Sequence, residues 1–208
     1  MNKICALAAL AAAGTLASAQ SVNFNINQEN FGSSDPDGSG SQTSQLVFSQ
    51  GFSLPDVASI DSFAFDAAHN YAADITIKLT NLNTGISYFL MGNQDAIDGV
   101  SDNFNDDELG DGNGFLLVNT VDYTLVGSGA AETFLTDTSG LIASGTYNAQ
   151  GWASGSFAAA DWSLEIWDTW DTFDEGSIGT AALSYTIPTP GALAAFGVAG
   201  LAAARRRR

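Results

Sequence analysis

Neither end of this 208-residue chain carries an acidic residue, and the stretch between them carries all 23. Residues 1–19 hold Lys3 as their only charge, the residues after Ile187 hold only Arg205, Arg206, Arg207 and Arg208, and residues 20–187 contain one cation, Lys78. This partition separates a polyanionic middle, where a folded body must be built, from two ends with other work to do. So acidic a middle argues against nucleic acid as a partner, because phosphate recognition needs Lys and Arg. It argues equally against attachment to anionic lipid through a basic surface. A hydrophobic content of 45% with 13 Phe argues against wholesale disorder, and the middle is long enough to bury a core without disulfides. The one cysteine, Cys5, lies in the front segment. Once that segment is removed, disulfides, thiolate zinc sites and cysteine nucleophiles have no residue to use.

The middle reads as strands. Asp74-Ile75-Thr76-Ile77-Lys78-Leu79-Thr80 alternates, placing Ile75, Ile77 and Leu79 on one face. Trp162 to Ile166 and Ala182 to Ile187 repeat the alternation, and Phe63 with Phe65, Tyr88 with Leu90, Phe115 to Val118 and Val22 to Ile26 supply further strands. Gly, Asn, Asp and Ser clusters separate these runs, and no sustained helical period with caps appears between residues 20 and 187. The expected class is all-β, an antiparallel sandwich or jelly roll, with residues 33–44 as a polar loop.

The ends read as addresses. Residues 1–19 (MNKICALAALAAAGTLASA) have a positive start at Lys3, an apolar run, and the small residues Ala17 and Ala19 that a signal peptidase accepts, with cleavage expected before Gln20. The other end reads IPTPGALAAFGVAGLAAARRRR. Pro188 and Pro190 stop the preceding strand. The uncharged Gly/Ala-rich run after Gly191 forms a short membrane helix, and the terminal arginines hold the cytoplasmic side. Pro188-Thr189-Pro190-Gly191, the apolar run and the Arg cluster together resemble the PEP-CTERM sorting signal, with Thr where that family's name has Glu. The resemblance implies export, transient anchoring in the inner membrane and an exosortase-like enzyme as a partner. A plain single-span anchor is the alternative.

A second resemblance covers roughly residues 53–187. His69-Asn70-Tyr71-Ala72-Ala73-Asp74-Ile75 resembles the opening of the P domain (P/Homo B) found behind subtilisin-type proprotein convertases. Asn105-Asp106-Asp107-Glu108, Gly145-Thr146-Tyr147, Trp162-Ser163-Leu164-Glu165-Ile166-Trp167-Asp168, and Gly179 followed by Leu183-Ser184-Tyr185 resemble its later hallmarks in family order. Asn81-Leu82-Asn83-Thr84-Gly85 departs from its Ser-Pro-x-Gly-Thr turn, and Asp161 replaces a glycine. The resemblance implies a jelly-roll sandwich and, in convertases, support of a protease. No subtilisin domain fits in this length, so such a role here would be exercised in trans.

Candidate chemistry is sparse. Residues 102–114 (DNFNDDELGDGNG) form the densest acidic segment, with Asp102, Asp106, Asp107, Glu108 and Asp111 offering clustered oxygens and Asp74 able to join them. Calcium takes six to eight such oxygens from flexible loops, although this spacing is not an EF-hand. A solvated acidic loop is the alternative to Ca²⁺. Asp35-Pro36-Asp37-Gly38 reads as a plain turn. His69 is the sole histidine and so the one imidazole a serine-hydrolase triad could use; no Gly-x-Ser-x-Gly elbow occurs to argue for one, and a single histidine rules out a multi-histidine zinc site. A structural place beside a strand is expected for it. In residues 161–175, Trp162, Leu164 and Ile166 share one strand face and Trp167 lies on the other; Trp167, Trp170 and Phe173 beside carboxylates could stack on sugar rings, or simply pack.

The expected organisation is a signal peptide over 1–19, an N-terminal strand and polar segment over 20–52, a P-domain-like sandwich over 53–187 and a sorting signal over 188–208. The expected function is that of an exported, non-catalytic protein of the bacterial cell surface or matrix, with exopolysaccharide or other surface proteins as partners. Carbohydrate or Ca²⁺ binding, and assistance to a subtilisin-type protease, are the alternatives.

Overall fold

A computed structural model describes residues 18–31, 44–69, 71–97, 108–109, 120–134, 141–169 and 176–188. Among them run eleven strands: β1 (Ser18–Phe31), β2 (Gln45–Leu54), β3 (Ser59–His69), β4 (Ile75–Asn81), β5 (Ile86–Met91), β6 (Glu108–Leu109), β7 (Val121–Val126), β8 (Leu141–Ile142), β9 (Gly145–Asn148), β10 (Ala160–Asp168) and β11 (Gly176–Ile187). A 3-10 turn (Ala72–Asp74) precedes β4, and a four-residue helix α1 (Gln94–Ile97) follows β5. The described residues are all-β in class, as their alternation requires.

The strands form two sheets. The larger runs β1-β11-β3, and the far edge of β3 is shared by β7 along Phe63 to Ala67 and by β6 at His69. The smaller runs β2-β10-β4-β5. Pairing is antiparallel except where β8 meets β6 and β9 meets β7, both parallel. The segment through β8 and β9 thus runs along two short strands in succession, passing from one to the other at residues 143–144.

Alternation turns one face of each sheet inward. Phe24, Phe63, Phe65, Tyr123 and Leu183 from the larger sheet, and Trp162, Leu164, Ile166, Ile75, Ile77 and Leu79 from the smaller, belong to one buried core. Phe24 of β1 meets Phe48 and Phe52 of β2 edge-on, at centroid distances of 6.5 and 5.3 Å, so the first strands of the two layers lie against each other. Edge-on contacts of this kind add to the area term that each ring contributes by burial. Residues 20–52 therefore supply one outer strand to each layer and share the core of the rest.

The strands expected around Phe63, Ile75, Tyr88, Trp162 and Leu183 are β3, β4, β5, β10 and β11, while Phe115 to Val118 lies outside the described residues. β1 extends well beyond Val22 to Ile26 and begins at Ser18, two residues before the expected cleavage point. The run Asn81 to Gly85 is the β4–β5 turn: Asn81 Oδ1 accepts the backbone N–H groups of Asn83 and Thr84, both at 3.1 Å, and Gly85 closes it at φ 72°. A side-chain acceptor thereby does the work that a proline does in other turns.

Candidate functional site

The outward face of the larger sheet is polar and built from small residues. Five strands lie side by side there in the order β1-β11-β3-β7-β9, and their outward positions fall into rows. Asn23 pairs Ala182, Ala182 pairs Ala64, Ala64 pairs Thr124 and Thr124 pairs Thr146. One step along, Asn25 pairs Thr180, and Asp66 pairs Asp122. Ala64 and Ala182 leave the middle of the face low, and a trough of about 610 Å³ opens over it, lined by Asn23, Asn25, Asp66, Asp122, Thr124 and Thr180 among others. A second hollow of about 550 Å³ adjoins it, shares Asp122 and Thr124, and reaches Thr120, Ser144 and Thr146.

Asp66 is fixed within this face. Its Oδ1 accepts the Thr180 N–H at 2.6 Å and the Thr180 hydroxyl at 2.5 Å, and its Oδ2 accepts the Thr120 hydroxyl at 3.2 Å. Gly179 makes this approach feasible, since a Cβ there would collide with the Asp66 carboxylate. Asp66 and Asp122 are cross-strand neighbours, an arrangement of like charges that costs stability. The face therefore presents two carboxylates, two carboxamides and several hydroxyls over a shallow floor, a set suited to hydroxyl-rich ligands. Little in the sequence signals it: the residues come from strands far apart in the chain, each marked only as an outward position of a period-two run.

A second convergence lies where β3 and β10 end and β4 begins. His69 is fully buried. Its Nδ1 accepts the Tyr71 N–H at 3.0 Å, which leaves Nε2 to carry the proton of the neutral ring. Nε2 lies 3.7 Å from Asp168 Oδ2, also fully buried; this is beyond hydrogen-bond length but close enough for charge to be felt. Phe31 stacks on the imidazole at 5.6 Å and 27°, and Gly176 leaves room for both rings. The Asp74 carbonyl accepts the N–H and hydroxyl of Thr169, at 2.7 and 2.8 Å, tying the end of β10 to the turn before β4. An imidazole with no exposure meets no substrate from solvent, so what this constellation does here is hold three strand ends together.

Of the candidate calcium ligands, Asp74 is buried in the turn before β4 and Glu108 lies in β6, whose neighbour Leu109 pairs His69. The middle of the acidic segment is thereby anchored to the His69 end of β3. Asp102, Asp106, Asp107 and Asp111 lie outside the described residues, and among the described residues no three His, Cys, Asp or Glu side chains converge on a point where a metal could sit. Trp162 is wholly buried in the core, Trp167 is half-buried, and Trp170 and Phe173 lie outside the described residues. Ala19 and Gln20 are exposed near the start of β1, and Pro188 is exposed just after β11. Ala17, Thr189, Pro190, Gly191 and Arg205 to Arg208 lie outside the described residues, as does the expected C-terminal helix. Among the described residues no helix is long and apolar enough to cross a membrane. No protein-family model matches the chain, and comparison with curated proteins gives no match.

Proposed function

We propose that this is an exported, non-catalytic protein of the bacterial cell surface or extracellular matrix, a jelly-roll-like body delivered by an N-terminal signal peptide and sorted by a C-terminal signal of the PEP-CTERM type. The observation that carries the reading is the charge partition. All 23 acids lie in the segment that supplies the two sheets, while the flanking segments carry only Lys3 and the terminal arginines. A polyanionic body remains soluble and resists nonspecific association outside the cell. The two uncharged flanks have the order of features that a secretion signal and a membrane stop require. Mass spectrometry of the native protein from membrane and medium tests this. Chains beginning at Gln20 and ending near Thr189 are expected, and full-length chains retaining Met1 in the cytosol would overturn the reading.

The trough on the larger sheet favours carbohydrate binding as the way such a body engages its surroundings. Carboxylates, carboxamides and hydroxyls over a flat floor match the donors and acceptors of sugar hydroxyls, and no cation is needed. Asp122→Ala should abolish retention on a matrix polysaccharide column without loss of folding; unchanged retention would rule the trough out. The P-domain reading draws support from His69 and Asp168, which belong to two separately matched runs and meet in the core. A protease-assisting role requires a partner enzyme, and co-purification of a subtilisin-type protease is its test.

A further inference from the structure

Outer strands of a sheet expose a row of unpaired backbone N–H and C=O groups, and proteins commonly blunt them with lysine, proline or inward-pointing charge. β1 is such a strand. Among the described residues its only lateral partner is β11. Over its fourteen residues it carries no lysine, no proline and a single charge, Glu29. In a chain with 23 acids, an outer strand with a single charge in fourteen residues is unexpected. β2, which lies against β1 in the other layer through Phe24, Phe48 and Phe52, is also an outer strand and has no charge. Among the described residues of β1 and β2, Glu29 is thus the one negative charge that would hold two copies apart.

The sequence of β1 adds a partner-specific feature. Gln20-Ser21-Val22-Asn23-Phe24-Asn25-Ile26-Asn27-Gln28 reads nearly the same in both directions about Phe24. Antiparallel self-pairing centred there sets Asn23 opposite Asn25 and Val22 opposite Ile26, while Ser21, Asn27, Gln20 and Gln28 extend the symmetry of the sequence beyond the ladder. Apolar residues then meet apolar residues on the core face, and carboxamides meet carboxamides on the outer one, as cross-strand pairing favours. Val22 is half-buried, Phe24 and Ile26 are buried, and Asn23 and Asn25 are exposed, so the faces already match. A register shift between Asn25 and Gln28, with Asn27 at φ 47°, bends the strand and sets where the shared ladder stops.

We propose that two copies of this chain pair through the outer edge of β1, antiparallel and about a two-fold axis at Phe24, joining their larger sheets into one. The interface is isologous, as closed dimers require. It also brings Asn23 and Asn25 of each copy beside those of the other, so the two outward troughs adjoin across the axis. Cleavage before Gln20 leaves the whole palindromic segment in place.

Sedimentation and site-directed cross-linking test the pairing. The chain as isolated is expected to sediment at twice its monomer mass, and a monomer throughout the micromolar range would overturn the proposal. Asn23→Asp with Asn25→Asp places carboxylates opposite one another across the axis, and this variant should be monomeric. Asn23→Lys with Asn25→Asp places opposite charges there, and this variant should remain dimeric. Both positions are exposed, and circular dichroism checks that each variant folds. A dimer that survives the double Asp variant would place the contact elsewhere. In a Cys5→Ser background, Asn23→Cys and Asn25→Cys chains mixed together should form a disulfide-linked dimer, while neither does so alone. Cross-linking of either variant with itself, or of neither combination, would refute the register at Phe24.

Discussion

Replacing Trp162 with alanine removes a wholly buried indole from the centre of the smaller sheet, where it stacks on Tyr88 at 6.2 Å and meets Phe157 edge-on at 5.2 Å. Large-to-small changes of this kind cost about 3–5 kcal/mol. Trp162 Nε1 is itself buried without a hydrogen-bond partner. Trp162→Phe should therefore cost much less, about 1 kcal/mol, since it discards an unsatisfied donor together with the lost area; urea denaturation of the two variants checks the difference. Tyr147 gives a pH signature. Its hydroxyl donates to the Ala143 carbonyl at 2.8 Å, and burial, with a smaller contribution from the Glu132 carboxylate, raises its phenol above the usual 10.0. The folded state thus keeps a proton that the unfolded chain releases. Its contribution is complete below the unfolded value of 10.0 and is lost as pH rises through the higher folded value. Thermal midpoints should fall above that pH, and Tyr147→Phe should flatten the fall.

The strands show why part of the architecture can be read from the sequence and part cannot. β4, β10 and β11 announce themselves because each buries one face and wets the other, so their period of two is explicit. β2 and β9 escape such reading: Gln45-Leu46-Val47-Phe48-Ser49-Gln50 and Gly145-Thr146-Tyr147-Asn148 alternate weakly, and their place depends on partners distant in the chain. The trough was hidden for the same reason, since Asn25, Thr180, Asp66 and Asp122 become neighbours only through strand register. Density of acid drew attention to residues 102–114, whereas the site with defined geometry uses two isolated aspartates. Register also gives the smaller sheet its one ion pair among the described residues. Lys78 Nζ lies 3.1 Å from Glu165 Oε2 on directly paired strands, with Phe89 beneath the ammonium at 6.0 Å. Both side chains are largely covered, so Lys78→Met should cost about 1 kcal/mol by leaving a covered carboxylate without its cation. Glu165→Gln in that background should recover part of the loss, a coupling that a double-mutant cycle measures.

Charge dominates behaviour at the scale of the molecule. With 23 acids and one lysine between residues 20 and 187, the folded body repels itself, and compactness suffers. Sodium chloride should raise the melting midpoint by screening. Calcium chloride at matched ionic strength should raise it further, reversibly with EGTA, if the segment around Glu108 gathers the ion; equal midpoints in the two salts would reduce the effect to screening alone. The strand order has a different consequence. Among the described residues β1 pairs within the chain only with β11, so residues 18–31 stay without a lateral partner until residues 176–187 arrive. Such first-to-last closure makes for slow folding. It keeps the chain threadable while it is being made, which is the condition a polypeptide needs to pass unfolded through a translocation channel and to collapse only on the far side.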